Sequence, residues 1–423
     1  MALERSTLHK LGLLGALYFS QGLPFGFFTQ ALPVLMRREG RSLAEIGLSS
    51  LLALPWALKF LVGPLVDRYG SARFGRRRSW IVPLQLAATS TLFALAFFEG
   101  ASIRVLVAAV LLTNLLAATQ DVATDGWAVE LLEPHERGLA NGLQVAGYRL
   151  GMILGGGVLL TVIDALGWRE VFFVMSALLG LATIPALLAR EAPRAVAPEH
   201  DGGGLGGARL AGFFRRPAIG RVLAIVTTFK LGEAFAAGMI RPYLVDVGFG
   251  LSDVGLLYGT VGSVAGLTGA LLGGWGVSRL SRRGALVAFG AGQVVAVATY
   301  AALAATHPAG AHAAGEGAAP PVLLTGLVLA VEHVLVGMGT AALFTAMMDW
   351  CRQGSEATDY TVLACLVVVS TGAASALSGF SAERLGYAGH FGAALALAVL
   401  GVAVVARAWP AHAASIEGAT APR

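Results

Sequence analysis

Apolar windows of about 20 residues recur along the whole chain, each long enough to cross a hydrocarbon layer of roughly 30 Å as a helix. Twelve can be drawn: 8–32, 44–66, 79–98, 103–127, 138–163, 168–189, 218–243, 253–276, 285–306, 322–348, 361–383 and 391–409. Within hydrocarbon each backbone N–H and C=O must be satisfied by the protein itself, so runs of this length are helices. The balance of residues agrees, with 56% hydrophobic and 13% charged, against about 45–50% and about 25% in soluble domains. The expected fold is an all-α membrane protein of twelve transmembrane helices. The first run follows Arg5 and Lys10 but lacks a small-residue cleavage site, so it is read as a retained helix.

An even number of spans puts both termini on one side. Most of the 30 Lys and Arg residues fall in connections on that side, and the positive-inside rule makes it the cytoplasm. The connection 190–217 holds Pro193, Pro198, the run Gly202-Gly203-Gly204 and several arginines. It is read as a cytoplasmic linker, with a surface helix in its second half, joining six-helix bundles at 1–189 and 218–423. On the opposite side, the loop 307–321 carries His307 and His312 as solvated residues.

The halves echo each other. Leu43-Ala44-Glu45-Ile46-Gly47-Leu48 before the second span returns as Leu251-Ser252-Asp253-Val254-Gly255-Leu256 before the eighth. Gly63-Pro64-Leu65-Val66-Asp67-Arg68 after the second returns as Gly274-Trp275-Gly276-Val277-Ser278-Arg279 after the eighth, and each leads into an arginine cluster. Corresponding helices are therefore expected to share caps, in two repeats related about the membrane normal.

Asp67-Arg68-Tyr69 continuing to Gly75-Arg76-Arg77-Arg78 resembles the cytoplasmic signature of the major facilitator superfamily. Further stretches narrow the likeness: Gln21-Gly22-Leu23-Pro24, Gln120-Asp121 through Asp125-Gly126-Trp127, Gly147-Tyr148-Arg149-Leu150-Gly151, Lys230 to Phe235, and Gly337 to Ala341. Together they resemble the AmpG-type muropeptide permeases, relatives of the acetyl-coenzyme A transporters, over nearly the whole chain. The two additional spans that some of these permeases carry are not found here. The resemblance implies a monomeric secondary transporter in the bacterial cytoplasmic (inner) membrane, both termini cytoplasmic, with anhydromuropeptides as substrates. Siderophores and coenzyme A esters are the alternatives within the same broad group.

Ionisable residues at membrane depth mark functional sites by default. At about 1.5 Å per residue, Arg149, Lys230, Glu233 and Glu332 fall near the midplane, where transporter sites lie. The substrate-binding candidates are Gln21, Gly22, Gln120, Gln144, Tyr148, Arg149 and Lys230, and the proton-coupling candidates are Asp121, Glu233 and Glu332. The gating candidates are Asp67, Arg68, Arg76, Arg77 and Asp125; Asp67 is expected at the N-terminus of the eleventh span, near Thr361, where the helix dipole favours a carboxylate.

Of three lysines among 30 basic residues, Lys59 and Lys230 fall inside spans. A lysine at depth can titrate where an arginine cannot. Two readings stand for each: Lys230 acts on substrate or proton, or simply pairs with Glu233 at i, i+3; Lys59 is functional, or snorkels toward the cytoplasm. Asp121 and Asp125, four apart on one face, need a partner or a proton. Gly22, Gly26, Gly151 and Gly155 let either helices or a ligand approach closely. Tyr18, Phe28, Trp127 and Tyr148 are candidates for stacking on a sugar or for core packing.

Phosphate loops, nucleophile triads and metal-ligand clusters are absent from the sequence, and Cys351 and Cys365 read as apolar filler. The expectation is therefore no enzyme, no cofactor, no metal and no nucleic-acid partner; the ligands are a small-molecule substrate and protons, and the medium is the lipid bilayer. A membrane sensor on the same fold is the rival class, and the retained midplane charges argue against it.

Overall fold

The computed structural model describes residues 5–32, 36, 52, 54–71, 73–98, 103–191, 207–309 and 319–410. Among them the regular elements are helical throughout, the one exception being an isolated bridge between Ser71 and Gly75. Eight described helices are long and apolar enough to cross a membrane by themselves. The last of these, Glu356–Ala408, holds two expected spans, joined at Gly386, where φ is +66° and the helical path breaks. Three expected spans are not among the eight. The window 44–66 lies partly outside the described residues, and its visible part is cut into Leu54–Leu58, a 3-10 turn at Lys59–Leu61 and Gly63–Arg68 by Pro55, Gly63 and Pro64. The window 79–98 forms an 18-residue helix, and 138–163 is diluted by Asn141, Gln144 and Arg149. The count of twelve is thus not reproduced helix for helix.

We label the helices of the first half α1 (Arg5–Gly26), α2 (Leu54–Leu58), α3 (Gly63–Arg68), α4 (Arg78–Leu95), α5 (Ile103–Leu131), α6 (Arg137–Met152), α7 (Leu159–Leu166) and α8 (Trp168–Leu188). Then follow α9 (Gly207–Phe214), α10 (Ile219–Thr228), α11 (Leu231–Asp246), α12 (Leu251–Val254), α13 (Gly262–Val277), α14 (Arg282–Thr306), α15 (Val322–Asp349) and α16 (Glu356–Ala408). α9 is the helix expected in the second half of the linker; residues 192–206 of the linker, the first of the two echoed caps and most of the 307–321 loop lie outside the described residues. Three helices continue into π turns, α1 at Phe27–Ala31, α6 at Ile153–Val158 and α12 at Gly255–Val261.

By backbone proximity the chain falls into two compact units: residues 1–133, 143–214 and 351–365, and residues 134–142, 215–350 and 366–423. In the first, Phe27, Leu92, Phe172 and Met175 build one apolar core and Leu17, Val66, Ile81 and Trp127 another. In the second, Ile240, Tyr243, Tyr300, Leu329 and Phe391 do the same.

Glycine sets the closest helix pairs. A Cβ on Gly22, Gly26, Gly151 or Gly155 would run into backbone, that of α6 for the first two and that of α1 for the others. These glycines therefore serve helix-to-helix approach, as small residues do in membranes. In the second unit Gly269 and Gly273 meet α15 in the same way.

The outer surface is apolar and the interior holds polar groups, the inverse of a soluble protein. Leu181, Val295 and Phe380 expose 61%, 61% and 63% of their surface, while Arg77, Thr358 and Asp359 expose none. A hydrocarbon solvent dictates this arrangement, because ionisable groups must turn away from it and toward one another.

Candidate functional site

In the first unit, four elements each present residues three or four apart toward a common polar wall. On α1, Tyr18, Gln21 and Phe25 share a face at i, i+3 and i+7. The Tyr18 hydroxyl donates to Asp125 Oδ1 at 2.8 Å, and the Phe25 ring lies 5.5 Å from Trp56 and 5.7 Å from Tyr148. On the α2 segment, Trp56 and Lys59 are separated by three residues, with Nζ 5.7 Å from the Trp56 ring centre. On α5, Asp121 and Asp125 stand at i, i+4. Lys59 forms an ion pair with Asp121 and a second, at 3.7 Å, with Asp125. On α6, Gln144 and Tyr148 stand at i, i+4, with Tyr148 6.4 Å from Trp56.

Lys59 is 7% exposed. It does not snorkel; it answers the repulsion between the two aspartates, which the sequence left open between a partner and a proton. Asp125, read as a gating residue, lies in this interior cluster with Asp121. Three rings, Phe25, Trp56 and Tyr148, are partly exposed together, whereas Tyr18, Phe28 and Trp127 are buried. Of the four aromatics named as stacking candidates, Tyr148 alone is open to a ligand.

The amides divide in two. Gln21 is 1% exposed, and neither of its side-chain polar atoms has a hydrogen-bond partner among the described residues; Gln144 Oε1 is in the same position. An unpaired buried amide costs about 1–3 kcal/mol, so a ligand group that fills the gap binds with that advantage. Gln120 is instead engaged: its Nε2 donates to Ser20 Oγ at 3.4 Å, where Gln85 Nε2 also donates at 2.7 Å. Gly22 faces the carbonyl of Tyr148 and lines a helix contact. Arg149 is partly buried on α6.

The gating candidates gather at the other sequence signature. Asp67 accepts from the backbone N–H groups of Ala357 and Thr358 at 3.2 and 2.8 Å and from the Thr358 hydroxyl at 2.6 Å, at the first turn of α16. This is the expected carboxylate on a helix N-terminus, a few residues earlier than Thr361. Arg77, fully buried, donates from Nη2 to Asp67 at 2.8 Å and to Glu130 at 2.5 Å. Burial works against its charge, but Asp67 and then Glu130 outweigh burial and raise its pKa above the usual arginine value. Arg76 also pairs with Glu130. Arg68 is exposed, with its guanidinium 5.5 Å from the Tyr69 ring.

In the second unit, Lys230 Nζ pairs with Glu233 at 2.9 Å, the intrahelical i, i+3 bridge, and donates to Thr340 on α15 at 2.8 Å. Glu332 meets His333 Nδ1 at 2.7 Å. Asp349 joins Arg137 and Arg282 at 2.6 and 2.7 Å.

Sequence reasoning left out Phe25, Trp56, Glu130 and Thr340, and left Lys59 between function and snorkelling. The Trp56–Lys59 spacing was a usable signal, since it sets an aromatic ring and a cation on one face. No local pattern marks Thr340 or Glu130. A groove of about 690 Å³ between the ends of α1, α5 and α8, lined by His9, Trp127 and Leu188 among others, holds none of the predicted site residues.

The family model for the Major Facilitator Superfamily matches residues 14–359. The chain is 33% identical over 396 residues to the anhydromuropeptide permease of Escherichia coli K12, covering 93% of this chain and 78% of that protein. A Haemophilus influenzae protein of uncharacterised function is 30% identical, with 91% of each chain covered. Among solved structures, the E. coli fucose:proton symporter superposes with a TM-score of 0.71 at 12% identity, over 96% of this chain and all of that one; this likeness speaks to fold alone. Its relatives are permeases and transporters rather than enzymes. A polar interior behind an apolar skin, a carboxylate on a helix N-terminus and matches of this extent have one reading: the chain is a secondary transporter that belongs to the Major Facilitator Superfamily, in its AmpG-type group.

Proposed function

We propose that this transporter carries anhydromuropeptides into the bacterial cytoplasm, driven by the proton gradient. The observation that carries this reading is the 33% identity, across 93% of the chain, to a permease named for that substrate. The interior supports it. A muropeptide brings a sugar ring, amides and carboxylates, and the first unit offers the Phe25–Trp56–Tyr148 rings for the sugar and the unpaired Gln21 amide and Gln144 Oε1 for the rest. Arg149, in the same unit, supplies a cation for acidic groups. The transporter acts as a monomer in the cytoplasmic membrane, with two six-helix bundles at 1–189 and 218–423 and both termini in the cytoplasm. Asp67, with Arg77, holds the cytoplasmic side closed through the first turn of α16.

The test is uptake into proteoliposomes with an imposed inward proton gradient, comparing an anhydromuropeptide, a ferric siderophore and acetyl-coenzyme A. Accumulation of the first, its collapse with a protonophore and its sharp loss in Arg149→Ala are expected. Transport of either competitor with none of the muropeptide would leave the family standing and remove the assigned substrate.

A further inference from the structure

The interior of the first unit is not electrically balanced. Lys59 pairs with both Asp121 and Asp125, and both carboxylates are buried, at 6% and 2% exposure. With all three groups charged the cluster carries one net negative charge away from water. A buried uncompensated carboxylate is costly enough that such groups take up a proton instead. Lys59 reaches both carboxylates, which stand one helical turn apart on α5. No other ion-pair cluster described above sets two carboxylates against a single cation: Lys230 has Glu233, Arg76 and Arg77 stand against Asp67 and Glu130, and Asp349 joins two arginines.

We infer that Asp121 and Asp125 share the proton that drives transport, with Lys59 as the counter-charge and Trp56 as the link to the bound substrate. The inference rests on the proposed proton coupling and deepens it. Uptake of one proton converts one carboxylate to a carboxylic acid and takes the cluster from −1 to neutral; its release on the opposite side restores −1. Tyr18, donating to Asp125, holds that carboxyl in place. Tyr148 from α6 and Tyr360 and Cys365 from α16 also lie near enough to feel the pair, and none of these three is a carboxylate. Lys59 reaches the substrate side because its ammonium lies against Trp56, whose ring meets Phe25 and Tyr148; a ligand seated on those rings displaces Trp56 and with it the ammonium. The rival acid is Glu332, which has His333 as its partner.

Difference infrared spectroscopy on the purified full-length protein reads the C=O stretch of a protonated carboxyl directly. The wild type is expected to show one such band near neutral pH, absent in Asp121→Asn/Asp125→Asn, shifted in Asp125→Glu and intact in Glu332→Gln. Asp125→Glu keeps the acid and tests the assignment even where the double variant fails to fold. In proteoliposomes, Asp125→Asn should lower gradient-driven accumulation of the anhydromuropeptide at least tenfold relative to its exchange across the membrane. A band that survives the double substitution, or that disappears in Glu332→Gln, overturns the inference, as does an accumulation-to-exchange ratio equal to that of the wild type. If the wild type accumulates no muropeptide, the substrate assignment falls and the infrared result alone decides the proton site.

Discussion

Gln21 illustrates how function leaves a mark on stability at a single residue. Its amide is buried, with both polar atoms unpaired, a cost of about 1–3 kcal/mol that a folded protein keeps only for a reason. Gln21→Leu is therefore expected to raise thermal stability by about 1 kcal/mol while weakening substrate binding, read as a higher melting temperature together with a higher Kd. A fall in melting temperature with binding intact would make Gln21 a packing residue. Lys59 gives the opposite sign. Removing one partner of a buried ion pair strands the other at a cost of about 3–5 kcal/mol, so Lys59→Met should destabilise strongly and Lys59→Met with Asp121→Asn should recover part of the loss. Equal losses in the single and double variants would show the pair to be uncoupled.

At the scale of the element, α1 and α6 are held backbone to backbone. Gly151→Leu places a side chain against the carbonyl of Phe19 and should cost at least about 1–3 kcal/mol. Gly12→Leu, on α1 but with nothing within 4 Å, should be neutral, and the comparison of unfolding temperatures isolates packing from composition. Asp67 works through the first turn of α16. Asp67→Asn keeps an oxygen for Thr358 but loses the charge facing Arg77, so labels on the two helical halves should report a shift in population toward the inward-facing state. An unchanged distance distribution would leave Asp67 a purely structural cap. The helices themselves, their polar interior and the Asp67 cap were legible because span length, charge depth and local motif are properties of one segment. The partners of Lys59 were not, since they depend on how α1, α5 and the α2 segment are brought together, and neither Gln120 with Ser20 nor Lys230 with Thr340 has any sequence spacing to announce it. The π turns escaped for another reason: each carries one residue beyond the α-helical count and sets later side chains back by about 100°, which periodicity drawn from a straight helix misses.

For the whole molecule the open quantity is orientation. Cysteines introduced singly at Ala195 and Ala313, in the linker and the loop outside the described residues, are expected to react with impermeant reagents from opposite faces of the membrane; reaction from one face would overturn the twelve-span topology. The positive-inside rule carries that expectation, and it leans almost wholly on arginine. Lysine is spent differently: of the three in the chain, Lys59 and Lys230 are 7% and 8% exposed, and Lys10 alone is not buried. Amine-directed chemistry, which on most proteins modifies the surface indiscriminately, is here almost blind to the outside. Covalent modification of Lys59 or Lys230 would instead time-stamp the admission of water to the interior, and the two amines, one in each unit, would report it separately.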